Sequence, residues 1–472
     1  MTEKEFSMAL RRGLGRAVVE LKNSENRAVH NGTILRCCLR DISYDWQVEG
    51  TRGCYLYSVI CATGERGIFE QAIAERFLRR CSDSFFCQLA DILSCYAKDG
   101  SALAKKAFQE KYGYFLAKKG RLIKARIDEG FQWEYLARLL FVIDGFSAFE
   151  RYATDVGDLL KNKPNDTLYY DWFVIDAEEV FGKTRVRKFM EAMYKVSDAI
   201  KALTEAIEAG ESARKQYHEN RRDELVSVET LLETAREMAS GKVNHYGPIM
   251  GLAHPFLKNA TDSDIMKLAN AILSEVDETA KGLLLRVFSV KALWSKPFPL
   301  GADPLLEYAK SSNEVLFENA VGLLEEFKDK RIHDLAVDLL LSRGIESLAL
   351  GLLIKNYMSS DDVVIAKAIK KAANIPQYVQ NDIVDIYCRH RSENALPTLL
   401  HVYQRGECTH CRYHILKAMY HCKVLPDKIL EECVYDSFKD TRVYAKRLIK
   451  KKKQQETVNK GMFHFGTNWF CG

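Results

Sequence analysis

Proline is scarce in this chain, with 9 residues among 472, and glycine contributes only 27. Both residues weaken helix interiors, so their scarcity leaves room for many uninterrupted helical stretches. Hydrophobic residues make up 47% of the sequence, which is enough to form ordered cores and argues against a disordered chain. The composition therefore favours an ordered helical protein.

The sequence also lacks a long apolar run and a strong charge bias. No stretch reaches the length of a bilayer span, and residues 1–12 have no apolar core of the kind that a secretory signal needs. With 69 basic and 64 acidic residues, the net charge of +5 neither requires nor excludes a nucleic-acid partner. We therefore expect a soluble, cytoplasmic protein that does not enter membranes.

Cysteine is not scarce, but its pattern argues against a disulfide framework. The 13 cysteines are odd in number and include the adjacent pair Cys37 and Cys38. Disulfide frameworks are typical of short secreted chains with an even number of cysteines, so reduced thiols are expected here.

Motifs of common enzyme classes are missing or incomplete. The sequence has neither the His-Glu-x-x-His of a metalloprotease nor the Gly-x-Ser-x-Gly of a nucleophile elbow. The run Ala177–Thr184 matches a relaxed phosphate-loop pattern, and residues 172–175 can form the preceding strand. However, Glu178 and Glu179 would stand where the phosphates bind. We expect a protein without catalytic activity, and an enzymatic site in the first half of the chain is the alternative.

Two amphipathic helices are predicted between Ser311 and Leu341. In the first, apolar residues from Leu316 to Phe327 recur on one helical face, and Ser312 or Asn313 can cap it. The second repeats the same spacing, and the short joint before it predicts that the two helices lie back to back. A single hairpin cannot bury both apolar faces, so similar neighbours are needed.

Comparable helices recur along residues 246–452, and they begin near Asp277, Asn313, Asp361, Cys411 and Asp440. Their mean spacing of roughly forty residues is near that of two-helix repeat units. The pattern therefore predicts an all-α protein built as an α-solenoid, in which antiparallel helical hairpins stack side by side.

The second helices of these units resemble those of HEAT repeats. Asn313–Ala320 and Asp361–Ala368 each begin with an amide or acidic residue, continue with an aliphatic residue and place alanine seven positions after the start. Asp440–Ala445 keeps the start of the pattern, but Arg447 stands where alanine is expected. The resemblance is best over residues 263–449. It implies a HEAT-like or armadillo-like fold but no single function, because HEAT-like proteins range from scaffolds to nucleic-acid binders and a few enzymes.

Three further regions are predicted outside this array. Residues 1–160 form an irregular helical region with uneven joints, residues 161–245 a linker and one long charged helix, and residues 453–472 a polar tether with an aromatic tail. In the joint Tyr44–Arg52 we expect Trp46 to pack and Glu49 to pair with Arg52, and a ligand-facing loop is the alternative.

One cluster contains the residue types that bind metals. Cys408 and Cys411 have the Cys-x-x-Cys spacing of a zinc half-site, and His414 lies one helical turn beyond Cys411. His410 or Cys433 can supply a fourth ligand. The competing interpretation is a buried apolar helix face, on which cysteine acts as a small hydrophobic residue. Zinc is the only cofactor that the sequence proposes.

Basic charge is concentrated in two segments, of which the second runs from Arg447 to Lys453. The first segment holds eight basic residues: Lys105, Lys106, Lys111, Lys118, Lys119, Arg121, Lys124 and Arg126. Tyr112, Tyr114 and Phe115 lie among them, and aromatic residues among cations suit a groove for a nucleic-acid strand. The alternative is a solvated helix face, with Tyr112 and Phe115 in the core.

The end of the chain concentrates four large aromatic residues: Phe463, Phe465, Trp469 and Phe470. Exposed aromatic surface favours association, so we expect this tail to dock on its own fold, on a partner or on a second copy of the chain. A disordered end is the alternative.

These features leave two functions from different classes. The first is a non-enzymatic α-solenoid scaffold that binds another protein through its concave face. The second is a nucleic-acid-binding helical-repeat protein that uses the basic residues within 105–126 and 447–453.

Overall fold

The computed structural model describes residues 1–118, 129–161, 172–220, 225–241, 247–290, 293–294, 296–344 and 348–465. Throughout these ranges the regular elements are helices, and no strand occurs. The predicted all-α class is therefore confirmed. Among the described helices, none has the length and apolar character that crossing a membrane requires.

The described residues contain twenty-seven α-helices. The first thirteen are α1 (Glu3–Arg11), α2 (Arg16–Asn23), α3 (Asn31–Cys38), α4 (Trp46–Glu49), α5 (Gly53–Thr63), α6 (Gly67–Leu78), α7 (Asp83–Lys98), α8 (Ala102–Ala117), α9 (Glu129–Ile143), α10 (Phe146–Lys161), α11 (Trp172–Phe181), α12 (Lys183–Tyr194) and α13 (Asp198–Asn220). The next twelve are α14 (Val228–Ala239), α15 (Gly247–Asn259), α16 (Asp262–Ser274), α17 (Glu278–Leu285), α18 (Asp303–Tyr308), α19 (Glu314–Leu324), α20 (Lys330–Ser342), α21 (Ala349–Asn356), α22 (Asp361–Lys371), α23 (Gln377–His390), α24 (Leu396–Arg405) and α25 (Thr409–His421). The last two are α26 (Asp427–Cys433) and α27 (Lys439–Phe465). Short 3₁₀ helices lie at Arg27–His30 and Arg286–Ser289.

The chain divides into two compact units. Unit 1 contains residues 1–217, 407–410 and 426–472, and unit 2 contains residues 218–406 and 411–425. Unit 1 is therefore assembled from both ends of the sequence.

Side-chain caps fix several helix starts that the sequence predicts. Asn313, rather than Ser312, caps α19, because its side-chain oxygen accepts a hydrogen bond from the Leu316 amide at 3.0 Å. Thr261 and Asp264 form the predicted capping pair at the start of α16. These caps satisfy backbone amides that have no partner within the helix.

The prediction of one long helix after about Thr184 is wrong. Helix α12 ends at Tyr194 and α13 begins at Asp198. Ser197 lies between them, and its side-chain oxygen accepts a hydrogen bond from the Ile200 amide at 3.4 Å. This is the bond that an N-cap residue makes at the start of a helix. Val196, which the helical spacing places on the apolar stripe, is 76% exposed in this joint.

In unit 2, helices pack mainly against the helix two positions along the chain. One row consists of α17, α19, α21 and α23 in successive contact, and α14 packs on α17 at its start. A second row consists of α20, α22 and α24. Unit 1 follows the same order in the row α1, α3, α5, α7, α9 and α11.

The predicted pairing of α19 with α20 is wrong, although both helices are present. Helix α19 packs chiefly against α17 and α18, and α20 packs chiefly against α21. The physical reason lies at Gly282, where an added Cβ would stand only 2.7 Å from the backbone nitrogen of Leu316. The missing side chain lets α17 approach the backbone of α19, so the apolar face of α19 is already covered.

Residues from the two ends of the sequence meet inside unit 1. The Ser437 amide donates to the Gly13 carbonyl at 2.9 Å, and Arg16 pairs with Glu432 at 2.9 Å. Gly15 leaves no room for a side chain, since a Cβ there would overlap the carbonyl of Glu432. The final helices therefore belong to the core that the first helices form.

The joint between α3 and α5 has the structural role that the sequence predicts. Glu49 and Arg52 form an ion pair at 3.1 Å with side chains only 1% and 2% exposed, and Trp46 packs against Phe131. Glu49 also accepts from the Thr409 amide at 2.8 Å. The buried pair thus joins two segments of unit 1 that are far apart in sequence.

A substitution at Gly282 tests directly whether α17 packs against α19. Replacing Gly282 with alanine should destabilise the protein by about 1–3 kcal/mol, because the added methyl group forces two backbones apart. The change in the free energy of unfolding is measured by denaturant titration followed by circular dichroism.

Gly322 on α19 is the matched control, because nothing lies within 4 Å of a Cβ added there. Gly322→Ala should stabilise the helix by about 0.5–1 kcal/mol through its higher helix propensity. Equal effects of the two substitutions would show that α17 and α19 do not meet as described.

Candidate functional site

The structure buries the two cysteines of the predicted zinc site and leaves His414 half-buried. Cys408 belongs to unit 1, whereas Cys411 and His414 belong to unit 2. Both cysteines are buried, and the Cys411 sulfur lies 3.8 Å from the side-chain oxygen of Asn381. Within the described ranges, no group of three or more His, Cys, Asp and Glu side chains is arranged to hold a metal ion. Zinc at these residues stays a prediction, and the function proposed below does not depend on it.

Only part of the first basic segment lies at the surface. Lys105 and Lys106 are exposed on α8, and Lys106 pairs with Glu110 at 3.7 Å. Lys118 at the end of α8 is half-buried and hydrogen-bonds the Tyr114 hydroxyl. Four residues of the segment lie outside the described ranges: Lys119, Arg121, Lys124 and Arg126.

Lys111 lies inside unit 1. Its ammonium donates to the carbonyls of Leu78 and Arg79 at 3.3 and 3.2 Å, and it lies within 6 Å of four aromatic ring centres. A cation at the C-terminal end of a helix and beside aromatic faces is stabilised by both. Lys111 therefore satisfies the last carbonyls of α6 and does not face the solvent.

Tyr112 and Phe115 belong to the core, as the alternative interpretation predicts, whereas Tyr114 is exposed. Phe115 is fully buried, and Tyr112 is buried with its hydroxyl donating to Asp155 at 2.6 Å. Burial and this hydrogen bond raise the pKa of Tyr112, so the phenol stays neutral. Neither ring is available to stack on a base.

The second basic segment lies on α27. Arg447 and residues 450–453 are exposed, and Lys452 pairs with Asp427 at 2.6 Å. Helix α27 continues to Phe465, so residues 453–465 are helical where the sequence predicts a tether. The physical reason is composition, since lysine, glutamine and glutamate are good helix formers and the first glycine comes at 461. The side chains of Phe463 and Phe465, and all of Trp469 and Phe470, lie outside the described part.

The phosphate-loop pattern does not form a phosphate loop. Residues 172–175 belong to helix α11 rather than to a strand, and Gly182, with a φ of +87°, joins α11 to α12. A phosphate loop needs a preceding strand and a glycine-rich turn that presents its amides. Glu178 instead pairs with Arg187 at 3.2 Å, so this segment is a helical corner.

The row α20, α22 and α24 exposes both aliphatic and charged side chains. Its exposed residues include Lys330 and Arg331 at the start of α20 and Lys371 at the end of α22. Eight further exposed or half-exposed residues follow the helical spacing of the three helices: Asp334, Asp338 and Leu341 on α20, Val363, Lys367 and Lys370 on α22, and His401 and Arg405 on α24. We name these eight residues the α20–α22–α24 face. The opposite sides of the three helices carry buried aliphatic residues, so amphipathic spacing determines which side is exposed.

Charge on this face changes sign along the row. Asp334 and Asp338 lie on α20, where Lys330 pairs with Asp334 at 3.3 Å. Lys367 and Lys370 lie on α22 and form no ion pair within the described residues. Burial and the positive charges of Arg405 and Lys370 lower the pKa of His401. That histidine is therefore neutral at pH 7, and the α22 and α24 part of the face is basic.

A hydrogen-bond network joins α20 to the start of α22. His333 lies between two carboxylates, with Nδ1 3.2 Å from Asp334 and Nε2 3.1 Å from Asp361. A ring that donates from both nitrogens must be protonated. Burial opposes the charge, but these two hydrogen bonds raise the pKa of His333 overall.

The neighbouring carboxylate, Asp362, bonds to the joint between α23 and α24. Asp362 accepts hydrogen bonds from the Tyr357 hydroxyl at 2.8 Å and from the Ser392 hydroxyl at 2.6 Å. Burial raises the pKa of Tyr357 to about 12, so the phenol keeps the proton that it donates. Asp361 and Asp362 also stand at the N-terminal end of α22, where a helix favours negative charge.

Histidine, aspartate and tyrosine can perform acid–base chemistry, but here their side chains bind neighbouring groups of the fold. Asp361 and Asp362 are buried, and they bind neighbouring residues and the Met358 amide, which donates to Asp361 at 2.7 Å. The network links α20, the start of α22 and the joint that follows α23. Sequence reasoning identified Asp361 only as a helix start, because its partner His333 lies 28 residues earlier.

The chain matches no protein-family model, and neither the curated proteins nor the solved structures give a significant match.

The His333 network predicts a pH-dependent contribution to stability. Because the folded pKa of His333 is raised above its unfolded value of about 6.5, the stabilisation is complete below about pH 6.5 and is lost as the pH rises through the folded pKa. The melting temperature of His333→Asn should therefore fall further below wild type at about pH 5.5 than at about pH 8.5. If the difference in melting temperature between wild type and His333→Asn stays constant or grows as the pH rises, the proposed protonation of His333 is contradicted.

Proposed function

We propose that the protein is a non-enzymatic, HEAT-like α-solenoid that binds another protein through the α20–α22–α24 face. The observation that carries this proposal is that the face combines exposed aliphatic side chains with charged side chains. Exposed aliphatic side chains stand there among charges of both signs, on helices that a buried network holds in place.

The packing order supports the solenoid part of the proposal. In a solenoid each repeat contacts its neighbours through equivalent positions. Three side chains bond between successive helices of the row α17, α19, α21 and α23, one between helix starts and two between helix ends. Asn313 donates to the Thr279 hydroxyl at 2.9 Å, Asn356 to the Phe327 carbonyl at 3.0 Å and His390 to the Ile354 carbonyl at 2.9 Å.

The spacing of these bonds also supports a repeat. Each bond joins corresponding ends of consecutive helices in the row, and the residues that it joins are 34, 29 and 36 positions apart. These separations are near the lengths of known helical-hairpin repeats, which run from about 33 to 47 residues.

The exposed aliphatic residues support a protein partner. Leu341 is 59% exposed and Val363 is 74% exposed, on adjacent helices of one row. Burying such side chains on association removes apolar surface from water and favours binding. Protein interfaces combine an apolar centre with a polar rim, and this face offers both.

The charges of the face favour a protein over a nucleic acid as its partner. A nucleic-acid backbone is uniformly negative, so Asp338 would repel it, whereas the charge of Asp334 is balanced by Lys330 and His333. A protein partner can present acidic groups to Lys367 and Lys370 and basic groups to the two aspartates. Alternating charge of this kind sets the orientation of binding more than its strength.

A non-enzymatic role agrees with the use of the reactive groups in this unit. His333, Asp361 and Asp362 hold one another and their neighbours, as described above, and their bonds lead from helix to helix. Such bonds consume the lone pairs and protons that a general acid or base needs for a substrate.

Nucleic-acid binding is the second candidate function. It is favoured by the exposed basic side chains of α27, which are Arg447, Lys450, Lys451, Lys452 and Lys453. Consecutive lysines on a helix attract phosphates without sequence preference, and that attraction weakens as salt is added.

Affinity purification of tagged full-length variants, followed by quantitative mass spectrometry and binding of each candidate as a purified protein, tests the proposal. The double variant Leu341→Glu, Val363→Glu should weaken binding of the true partner about tenfold or more, because charge replaces the apolar centre. Circular dichroism should be unchanged, since both positions are exposed.

Val276→Glu is the matched control, because Val276 is 89% exposed in the same unit but lies outside the face. It should bind the partner as wild type does, and nuclease treatment should have no effect. If the double variant binds the partner as tightly as wild type does, the α20–α22–α24 face is not the binding surface. If nuclease treatment abolishes co-purification of the partner, the result favours nucleic-acid binding.

A further inference from the structure

Two accessible cysteines meet on adjacent helices of unit 1. Cys54 stands in the first turn of α5 and is exposed, and Cys95 stands in the last turn of α7 and is partly exposed. Their sulfur atoms are 3.7 Å apart. A disulfide has a sulfur–sulfur distance of about 2.0 Å, so a modest side-chain movement is enough to join them.

The backbone brings these thiols together at a glycine. Gly53 precedes Cys54, and a Cβ added to Gly53 would stand 2.4 Å from the Asp91 Cβ and 2.6 Å from the Gln88 carbonyl oxygen. The first turn of α5 therefore lies directly against α7. Asp91 reinforces this contact, since it accepts hydrogen bonds from the Thr51 hydroxyl and from the Tyr135 hydroxyl.

The surroundings of the pair distinguish the two sulfur atoms. The hydrogen bond from Cys95 lowers the pKa of Cys54, with a smaller contribution from Lys98 and Arg442, against the opposing effects of burial and Asp91. The N-terminal end of α5 also favours a thiolate at Cys54. The same hydrogen bond, together with burial, raises the pKa of Cys95, which therefore keeps its proton.

Several other cysteines of unit 1 are poor nucleophiles. Cys37, Cys38 and Cys87 are buried, and burial raises the pKa of each thiol. Cys61 is exposed on α5, two turns beyond Cys54 and on the same side of the helix, about 10 Å along its axis. Cys61 shares the helix and the exposure of Cys54 but lies far from the helix N-terminus.

We propose that Cys54 and Cys95 form a dithiol site that hydroperoxides oxidise to a disulfide. Reactive redox cysteines combine exposure, thiolate character and a neighbouring resolving thiol. This pair has all three features, and the solenoid function proposed above does not require it.

The reaction takes place in two steps. The Cys54 thiolate attacks one oxygen of hydrogen peroxide, the O–O bond breaks, and the departing hydroxide takes a proton from solvent and leaves as water. Cys54 is then a sulfenic acid. The Cys95 sulfur attacks the Cys54 sulfur, the S–O bond breaks, and the second hydroxide takes the Cys95 proton and leaves as water. The two thiols lose two electrons, and the peroxide gains them.

Mapping the cysteines of the full-length chain after mild oxidation tests the proposal. The reduced protein is treated with one equivalent of hydrogen peroxide, blocked with N-ethylmaleimide, digested without reduction and analysed by mass spectrometry. Chymotrypsin is the useful protease, because cleavage after Tyr55 separates Cys54 from Cys61. A Cys54–Cys95 disulfide should be the main product, while Cys61 should remain alkylated.

Single substitutions assign the two roles. In Cys95→Ser the sulfenic acid on Cys54 should persist and accumulate as an adduct of the sulfenate probe dimedone. In Cys54→Ser neither that adduct nor a link to Cys95 should form, and Cys61→Ser should behave as wild type. If Cys54 and Cys95 of the wild-type chain are alkylated as completely as Cys61 after oxidation, the proposal is refuted. A dimedone adduct that forms equally on Cys61 and Cys54 would refute it as well.

Discussion

The structure of unit 2 depends on close contact between each helix and the helix two positions along the chain. That contact is closest at Gly282, where the backbones of α17 and α19 touch because no side chain separates them. It covers the apolar face of α19 and leaves α20 to pack against α21 and α22. Two rows of helices follow from this arrangement, and the row of α20, α22 and α24 carries the exposed face.

Several buried polar side chains of this protein link one helix to another. The Asp361 and Asp362 carboxylates connect α20, α22 and the joint that follows α23, and Glu49 with Arg52 joins distant segments of unit 1. Breaking such a buried pair by removing one partner typically costs about 3–5 kcal/mol, because the other charge is left without compensation. Replacing exposed side chains, in contrast, leaves this framework intact.

Local features of the fold can be predicted from the sequence, whereas tertiary contacts cannot. The cap at Asn313 and the pair of Glu49 with Arg52 depend on residues no more than three positions apart, and both are present. The partner of α19 depends on the absence of a side chain at Gly282, far outside the helix itself. Lys111 was assigned to a basic surface because its sequence neighbours are basic, but its ammonium reaches the carbonyls at the end of α6. The His333 network and the Cys54–Cys95 pair were missed for the same reason, since their members are separated by 28 and 41 residues.

Native-state hydrogen exchange on Asn356→Ala tests the stacked arrangement most directly. Asn356 accepts from the Asp329 amide at 2.9 Å and donates to the Phe327 carbonyl at 3.0 Å, so it joins the end of α21 to the end of α19. In a stack each layer contacts only its neighbours, so protection should fall most in α19, α20 and α21 and least in α14 and α24. An equal loss of protection throughout residues 228–405 would instead indicate one cooperative core and would contradict the account.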